Sequence, residues 1–297
     1  MRVAVAGATG LIGGRLCQAL LGRGDEVVVL SRGEGPVIAG AREVHWDPAE
    51  GPVPAGALEG ADAVVNLAGA PIGGRRWTAG RKRLVRASRT LTTRLLVDAL
   101  ALPGAPRVLV NGSAVGYYGP TEETVDESAP PGSDFLADTC VAWEREAVRA
   151  REHGVRTALL RTGLVLTADG GVLPQVARPV KLLAGGPIGG GRQWMPWIHI
   201  DDEVGLLLFA LDHGDVDGPL NGSAPEPVRQ RDFVSALGRV LGRPTVVPTP
   251  AVVLRLALGE MSTLALDGQR AVPAAPLAAG YTFAHTDVEA ALRDIYA

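Results

Sequence analysis

The first 166 residues alternate short β-rich runs with helical patterns. Strands are predicted where the chain is almost continuously Val, Leu or Ala, which is typical of a parallel sheet covered on both faces. These runs are Arg2–Ala6, Glu26–Ser31, Ala63–Leu67, Arg107–Asn111 and Arg156–Arg161. Helices fit between the runs, at about residues 10–21, 78–100 and 136–152. This alternation predicts an α/β fold of Rossmann type, with a doubly wound parallel sheet.

The pattern changes after residue 166. Residues 167–194 are rich in Gly and Pro, and Trp197–Asp202 is predicted as a short strand or turn. Later helices are predicted over Glu203–Leu211, Arg231–Leu241 and Ala251–Leu266, and from Thr286, the expected N-cap of a capping box. We therefore predict a dinucleotide-binding Rossmann domain over residues 1–166, its sheet completed by parts of 195–222. A smaller C-terminal α+β substrate subdomain is predicted over residues 167–297.

A glycine-rich turn follows the first predicted strand and leads into a helix. Glycines in this context allow a tight turn, a close approach to a diphosphate and tight packing of helix on strand. The helix N-terminus then presents unpaired N–H groups to the phosphates. The strand before the turn and the helix after it favour this interpretation over a purely structural turn. The predicted dinucleotide-binding residues are Gly7, Thr9, Gly10, Leu11, Ile12 and Gly13.

The end of the second predicted strand indicates which dinucleotide is bound. Enzymes that bind NAD usually place an acidic residue there, whereas a nearby Arg accommodates the 2′-phosphate of NADP. This chain has Ser31 and Arg32 at that point and no acidic residue. Charge complementarity therefore predicts NADP(H) as the cofactor, with Ser31 and Arg32 among its ligands. The other interpretation is that Arg32 is a solvated surface charge.

The overall composition narrows the class of protein. Of the 297 residues, 46% are hydrophobic and 21% are charged, and the net charge is −3, which gives no signal for membrane or nucleic-acid binding. A run of basic residues between Arg75 and Arg89 is predicted to be a solvated helix face rather than a nucleic-acid site. The two cysteines match no metal spacing and indicate a reducing, cytoplasmic location. The start of the chain has no basic region, so no secretory signal is expected.

Several motifs together resemble the epimerase-family branch of the extended short-chain dehydrogenase/reductases, which includes proteins similar to nucleotide-sugar epimerases. They are GATGLIG at 7–13, VVNLAGAPIGGRRW at 64–77, SRTLTTRLLVDAL at 88–100, NGSAVGYYG at 111–119, RTGLVL at 161–166 and GGGRQWMPWIHIDDE at 189–203. The resemblance covers nearly the whole chain. It implies an NADP(H)-binding Rossmann fold with a C-terminal substrate subdomain, and it adds Leu67, Ala68, Gly69 and Arg161 to the cofactor-binding candidates.

The usual catalytic pair of this superfamily is absent. Its Tyr-x-x-x-Lys pattern falls on Leu136 and Cys140, and neither side chain can do that acid–base chemistry. The catalytic candidates that remain are Ser113, Tyr117, Tyr118 and His199. Each has an ordinary structural alternative: a turn residue for Ser113, packed aromatic rings for the tyrosines, and buried hydrogen bonds at the subdomain junction for His199.

The predicted substrate pocket has walls from Ser113–Tyr118, Gly69–Trp77 and Arg192–His199, beyond the carboxyl ends of the strands. Its substrate-binding candidates are Arg75, Trp77, Arg192 and Trp194. The arginines indicate a small anionic substrate. The leading hypothesis is an NADP(H)-dependent oxidoreductase or epimerase-like enzyme, and the alternative is a non-catalytic NADP(H)-binding sensor. The sequence leaves a homodimer open.

Overall fold

The computed structural model describes residues 1–33, 35 and 37–297. The strands in these ranges are β1 (Arg2–Ala6), β2 (Glu26–Ser31), β3 (Arg42–His45), β4 (Ala63–Asn66), β5 (Val108–Ala114), β6 (Thr124–Val125), β7 (Arg156–Thr162), β8 (Leu164–Leu166), β9 (Trp194–Met195), β10 (Trp197–His199), β11 (Gly218–Gly222), β12 (Val228–Arg229) and β13 (Arg270–Ala271). The α-helices are α1 (Leu11–Gly22), α2 (Ala79–Leu100), α3 (Phe135–Val148), α4 (Leu173–Lys181), α5 (Ile200–Asp212), α6 (Gln230–Leu241), α7 (Ala251–Leu258), α8 (Thr263–Leu266), α9 (Ala274–Ala278) and α10 (Val288–Ile295).

Seven strands form one parallel sheet in the order β11-β7-β5-β4-β1-β2-β3. From β1 the chain adds β2 and then β3 on one side of β1. It then crosses to the other side of β1, where it adds β4, β5, β7 and β11. This reversal creates the crevice in which doubly wound sheets bind ligands. All five predicted strands are confirmed as members of this sheet, with bounds that differ by at most three residues. The Rossmann fold class is therefore confirmed.

Helices cover both faces of the sheet. One apolar cluster packs the β1 and β2 side chains against α1 and α5, and another packs the opposite face against α2 and α3. A third cluster joins α4, α6 and α10 in the C-terminal part of the chain. None of the helices in the described ranges has the length and apolar composition that crossing a bilayer requires.

Two helix starts differ from the predictions. The last helix is capped by Asp287, whose carboxylate accepts the N–H of Ala290 at 2.8 Å, and not by Thr286. The helix predicted from Glu203 begins three residues earlier, at Ile200, because the ring of His199 caps it.

The predicted helix near Ala251–Leu266 is also interrupted. Gly259 has a φ of +61°, a left-handed conformation that favours glycine, and it ends α7 before a 3₁₀ turn and the short α8. Helix α2 begins where the sequence predicts it, at about residue 78. Thr78 is its N-cap, and the Thr78 side chain accepts the N–H of Arg81.

Candidate functional site

The glycine-rich turn lies at the carboxyl end of β1, beside the reversal of the sheet. Gly7 has a φ of +86°, and a Cβ there would lie 2.6 Å from the carbonyl carbon of Leu67. A Cβ at Gly13 would lie 2.2 Å from the carbonyl oxygen of Gly7. Only glycine fits either position, because the backbone of the turn packs against both α1 and the loop after β4.

The first turn of α1 presents free hydrogen-bond donors. Gly10 is the N-cap and has no side chain to cap the helix, and the first turn holds no acidic residue. Within the described ranges, no hydrogen bond uses the backbone N–H groups of Leu11, Ile12 or Gly13. Three N–H groups at the positive end of a twelve-residue helix make a suitable site for a phosphate.

The other predicted cofactor residues surround this turn. Ser31 ends β2, next to β1, and its hydroxyl accepts the N–H of Gly33 at 3.1 Å. Arg32 follows it and is exposed. The Thr9 side chain lies against Gly35, where a Cβ would approach it to 2.9 Å. Glu34 and Pro36 lie outside the described residues.

The loop after β4 forms the other side of the turn. The Leu67 N–H donates to the carbonyl oxygen of Ala6 at 2.8 Å, and the Ala68 N–H donates to the Asn66 side chain at 3.2 Å. Gly69, the next residue, is exposed. These bonds hold the loop beside the turn, at the carboxyl ends of β4 and β1.

Helix α3 carries the two positions at which the superfamily places its catalytic pair. Leu136 is half-buried and lies against Gly116, where a Cβ would approach its Cβ to 3.3 Å. Cys140 is buried, and burial raises the pKa of its thiol to about 12. The thiol therefore stays neutral at physiological pH, so it supplies neither a positive charge nor a proton.

A buried charge cluster explains three of the predicted site residues. Arg161 on β7 donates from Nε and Nη2 to the two carboxylate oxygens of Glu144, at 2.9 Å each, and from Nη1 to the hydroxyl of Tyr118 at 2.9 Å. Ser113 donates to the same carboxylate at 2.6 Å, and Tyr118 donates to Asn221 at 2.7 Å. Burial raises the pKa of Tyr118 to about 12.

These contacts change the predicted roles. Every nitrogen of the Arg161 guanidinium has a partner inside the fold, so we reassign Arg161 from cofactor binding to this internal ion pair. The hydroxyls of Ser113 and Tyr118 are likewise committed to buried partners, which argues against catalytic roles. Tyr117 is half-buried, and its ring lies under Arg161, whose guanidinium carbon is 3.5 Å from the ring centroid.

The contacts of the His199 ring are those of a residue that holds two segments of the fold together. Its Nδ1 accepts the N–H of Asp201 at 3.2 Å, and its ring stacks on His285 with centroids 3.8 Å apart. Burial, followed by the nearby charge of His285, lowers the pKa of His199. The ring joins the start of α5 to the C-terminal segment, as in the alternative interpretation of the sequence. Neither of the two cavities described below is lined by Tyr117 or His199, so the single pocket predicted to unite them with Arg192 stays a prediction.

Arg192 lines a different cleft, with a volume of about 420 Å³. The cleft lies between α7 and the segments around residues 120–122, 188–193 and 266–268, and Arg255 and Asp267 also line it. Burial raises the pKa of Asp267, while the charge of Arg255 opposes that rise. The Arg192 side chain is exposed, and no carboxylate in the described part of the chain pairs with it. The cleft thus holds a cation that is available to an anionic ligand.

A second cavity of about 300 Å³ adjoins this cleft and shares Ile188, Gln193 and Asp267 with it. Most of its walls are apolar, from α4, α6 and α7. Trp194 lines it, and Arg229 lies over the indole, 3.8 Å from a ring centroid. The buried Nε1 of Trp194 has no hydrogen-bond partner among the described residues. A ligand that reaches this cavity would therefore meet a mostly apolar surface.

The two remaining substrate candidates lie before α2. Trp77 donates to the carbonyl oxygen of Ile72 at 3.0 Å and packs edge-on against Phe135, so its polar group is already used. Arg75 is exposed.

The neighbouring basic residues are only partly the solvated helix face that was predicted, since Arg83 and Arg86 are exposed but two others have partners in the C-terminal segment. Arg76 donates to the carbonyl oxygens of Leu256 and Ala257 at the end of α7, and Lys82 pairs with Glu260. The start of α2 is thereby joined to the C-terminal segment, because these cations find partners there.

Comparisons with known proteins agree with this architecture. The model of the NAD dependent epimerase/dehydratase family matches residues 3–221, and a domain of unknown function, DUF1731, matches residues 249–295. The epimerase family protein ML0860 of Mycobacterium leprae is 42% identical over 98% of this chain and 94% of its own length. The SDR39U1 homologue of Arabidopsis thaliana, described as chloroplastic, is 40% identical over 99% of this chain and 86% of its own.

A solved structure extends the comparison. The crystal structure of human epimerase family protein SDR39U1 (isoform 2) with NADPH matches with a TM-score of 0.89 and 38% identity, over 99% of both chains.

Proposed function

The chain belongs to the NAD dependent epimerase/dehydratase family, and we propose that it binds NADP(H) and uses it in an oxidoreductase or epimerase-like reaction on a small anionic molecule. The observation that carries the cofactor assignment is the uncapped start of α1, where three N–H groups have no partner among the described residues. The turn before them accommodates only glycine at positions 7 and 13. The NADPH found with human SDR39U1 supports the same assignment.

The described residues fit this cofactor. The N–H groups of Leu11, Ile12 and Gly13 would hold the diphosphate, and the backbone at Leu67–Gly69 would border the adenosine half. Ser31 and Arg32, at the end of β2, would bind the 2′-phosphate. When bound, NADP(H) supplies or accepts a hydride.

Arg32 should determine the choice of dinucleotide. NADPH is expected to bind at least about tenfold more tightly than NADH, because Arg32 pairs with the 2′-phosphate. Isothermal titration calorimetry measures both affinities. Arg32→Ala should weaken NADPH binding and leave NADH binding almost unchanged, whereas Arg42→Ala, at an exposed arginine near the other end of the β2–β3 pair, should change neither. Equal affinities for the two dinucleotides would contradict the assignment.

The proposed substrate site is the cleft around Arg192 and the adjoining apolar cavity. Arg192 offers a guanidinium with no carboxylate partner in the described ranges, and such a group binds carboxylate or phosphate bidentately. The walls of the adjoining cavity are mostly apolar. We therefore propose that the substrate carries a carboxylate or phosphate and also has an apolar part.

Oxidation of NADPH in the presence of a panel of carbonyl compounds tests this proposal. Compounds with a carboxylate or phosphate group should cause a fall in absorbance of NADPH, and their uncharged esters should not. Arg192→Ala is expected to raise the KM for the active compound about tenfold or more without changing NADPH affinity, since it removes a charge-assisted contact to the substrate alone. An unchanged KM would place the substrate elsewhere.

The non-catalytic sensor is the second candidate, and one observation favours it. Leu136 and the neutral Cys140 replace the acid–base pair, and the hydroxyls of Ser113 and Tyr118 are used inside the fold. A sensor would bind NADPH and oxidise none of the panel. The cytoplasmic location and the homodimer stay predictions.

A further inference from the structure

Three potential metal ligands meet where the start of α5 contacts the C-terminal segment. They are His199 at the N-cap of α5, His285 in the segment before α10, and Asp294 in the last turn of α10. One ligand atom from each residue lies within 4.8 Å of the ligand atoms of the other two. The two imidazole rings stack with their centroids 3.8 Å apart. The fold therefore brings two imidazoles and a carboxylate to one point from distant parts of the chain.

The Nε2 atoms of both histidines lie near the same carboxylate oxygen. Oδ2 of Asp294 is 3.5 Å from Nε2 of His199 and 3.7 Å from Nε2 of His285. These separations are longer than those of normal hydrogen bonds. In a tetrahedral zinc site with bonds of about 2.0–2.1 Å, neighbouring ligand atoms are about 3.4 Å apart. The observed spacing is therefore closer to that around a single metal ion.

The His199 ring supplies an independent observation that points to a ligand. Its side chain is only 3% exposed, and Nε2 has no hydrogen-bond partner among the described residues. A buried polar atom without a partner is unfavourable, so an atom kept in this state needs an explanation. The Asp294 side chain is 60% exposed. An ion bound here would thus satisfy the buried nitrogen on one side and leave its fourth position open to water on the other.

Each ring also has a carboxylate beside its other nitrogen, Nδ1. Oδ2 of Asp202 is 3.3 Å from Nδ1 of His285 and accepts the backbone N–H of the same residue at 2.9 Å. Oδ2 of Asp201 is 3.6 Å from Nδ1 of His199. Metal-bound histidines usually donate their second ring N–H to such a carboxylate, which leaves the lone pair of Nε2 for the ion. On binding an ion, His199 would exchange the backbone N–H of Asp201 for the carboxylate of that residue.

We propose that His199, His285 and Asp294 bind one divalent transition-metal ion of the zinc type. Two imidazoles and one carboxylate are a ligand set that zinc uses, with water as the fourth ligand. The rings would tilt out of their stack, because both Nε2 lone pairs must point at the ion. The ion would join the start of α5 to α10. None of its three ligands lines the cleft around Arg192, so the site is separate from the proposed substrate site.

Titration of the protein with zinc chloride tests this site, after treatment with EDTA and dialysis into metal-free buffer. Isothermal titration calorimetry should show one zinc ion bound per chain. Zinc should also raise the midpoint of thermal unfolding, because only the folded chain brings the three ligands together. His285→Ala and Asp294→Ala are each expected to weaken zinc binding about tenfold or more. Asp294 is exposed, so its variant should fold normally even if the His285 variant does not.

Matched controls separate this site from zinc binding at the surface. His213→Ala removes a histidine from the other end of α5, and Asp138→Ala removes an exposed carboxylate from α3. Neither should change the zinc affinity. Cobalt(II) in place of zinc should give the strong visible absorption of a four-coordinate ion, and this absorption should disappear in Asp294→Ala. Absence of zinc binding, zinc affinity that Asp294→Ala leaves unchanged, or a cobalt spectrum of a six-coordinate ion would overturn the proposal.

Discussion

Replacing Glu144 by glutamine is expected to lower the free energy of unfolding by about 3 to 5 kcal/mol. Glu144 and Arg161 are 7% and 3% exposed, and two hydrogen bonds of 2.9 Å join them. Burial by itself lowers the pKa of Arg161, but the hydrogen bonds and the charge of Glu144 raise it overall. Glutamine keeps the shape of the side chain and an acceptor for Ser113, yet it leaves the buried guanidinium without its counter-charge.

Urea unfolding followed by circular dichroism measures this loss. The matched control is Glu146→Gln on the same helix, which breaks the ion pair with the more exposed Arg149 and should cost at most about 1 kcal/mol. The double variant Glu144→Gln/Arg161→Met should recover much of the stability, because it removes the uncompensated charge as well. A loss at Glu144 no larger than that at Glu146 would show that water reaches the buried pair.

The sheet and the glycine-rich turn could be predicted from the sequence because their signals are local. Runs such as Glu26–Ser31 combine apolar side chains with β-branched residues, and both faces of the resulting strand are buried. The edge strand β3 reads Arg-Glu-Val-His and is mostly exposed, so it carries no such signal. Strand β11 contains Gly218 and Pro219, which by themselves indicate a turn. Pairing with β7 makes it a strand, and that contact is not local.

Family motifs alone did not indicate the structural roles of two predicted catalytic residues and one predicted cofactor-binding residue. Ser113, Tyr118 and Arg161 lie in segments that match family motifs, and the sequence alone does not show that one internal charge cluster uses all of their polar groups. The member that organises the cluster, Glu144, comes 31 residues after Ser113. A single glutamate on a helix gives no reason to expect burial. The roles of these residues therefore depend on contacts between segments that are far apart in the sequence.

The burial of Arg89 could not be predicted for the opposite reason. In the sequence it is the last member of a basic run on a helix, and such runs usually face solvent. Trp143 and the loop at Ala70 bury it, and both contacts depend on how α2 meets α3 and β4. One signal was present: Arg89 lies four residues after Val85 and seven before Leu96, on the apolar stripe of α2. A charge on the apolar side of a helical pattern is therefore a sequence feature that indicates a buried charge.

Because of Glu203, the free energy of unfolding is expected to fall as the pH rises. This residue of α5 is completely buried, and burial raises the pKa of its carboxyl group to about 8, while the hydrogen bond from Thr162 opposes the rise. That bond, from the Thr162 hydroxyl to Oε1, is 2.6 Å long. Oε2 has no partner among the described residues and lies against Gly222, where a Cβ would approach it to 2.6 Å.

The sign follows from which state holds the proton. Between the ordinary carboxyl pKa of 4.5 and the folded value of about 8, the folded protein keeps the Glu203 proton and the unfolded chain has lost it. Unfolding then releases a proton, so the contribution of this group to stability is complete below pH 4.5 and decreases until about pH 8. Since each pH unit corresponds to 1.36 kcal/mol, the total decrease is on the order of 5 kcal/mol.

Glu203→Gln removes this dependence, because glutamine is neutral at every pH and its carbonyl oxygen can still accept the Thr162 hydroxyl. We therefore expect the variant and the wild-type protein to have similar free energies of unfolding near pH 5, and the variant to be more stable by several kcal/mol near pH 8.5. Urea unfolding at four pH values between these limits measures the difference. Glu152→Gln, which changes the net charge equally at an exposed position, should give a constant difference over the same range. If the Glu203→Gln difference is equally constant, the carboxyl group is already ionised in the folded protein at pH 5, and its burial must be relieved by water that reaches Oε2.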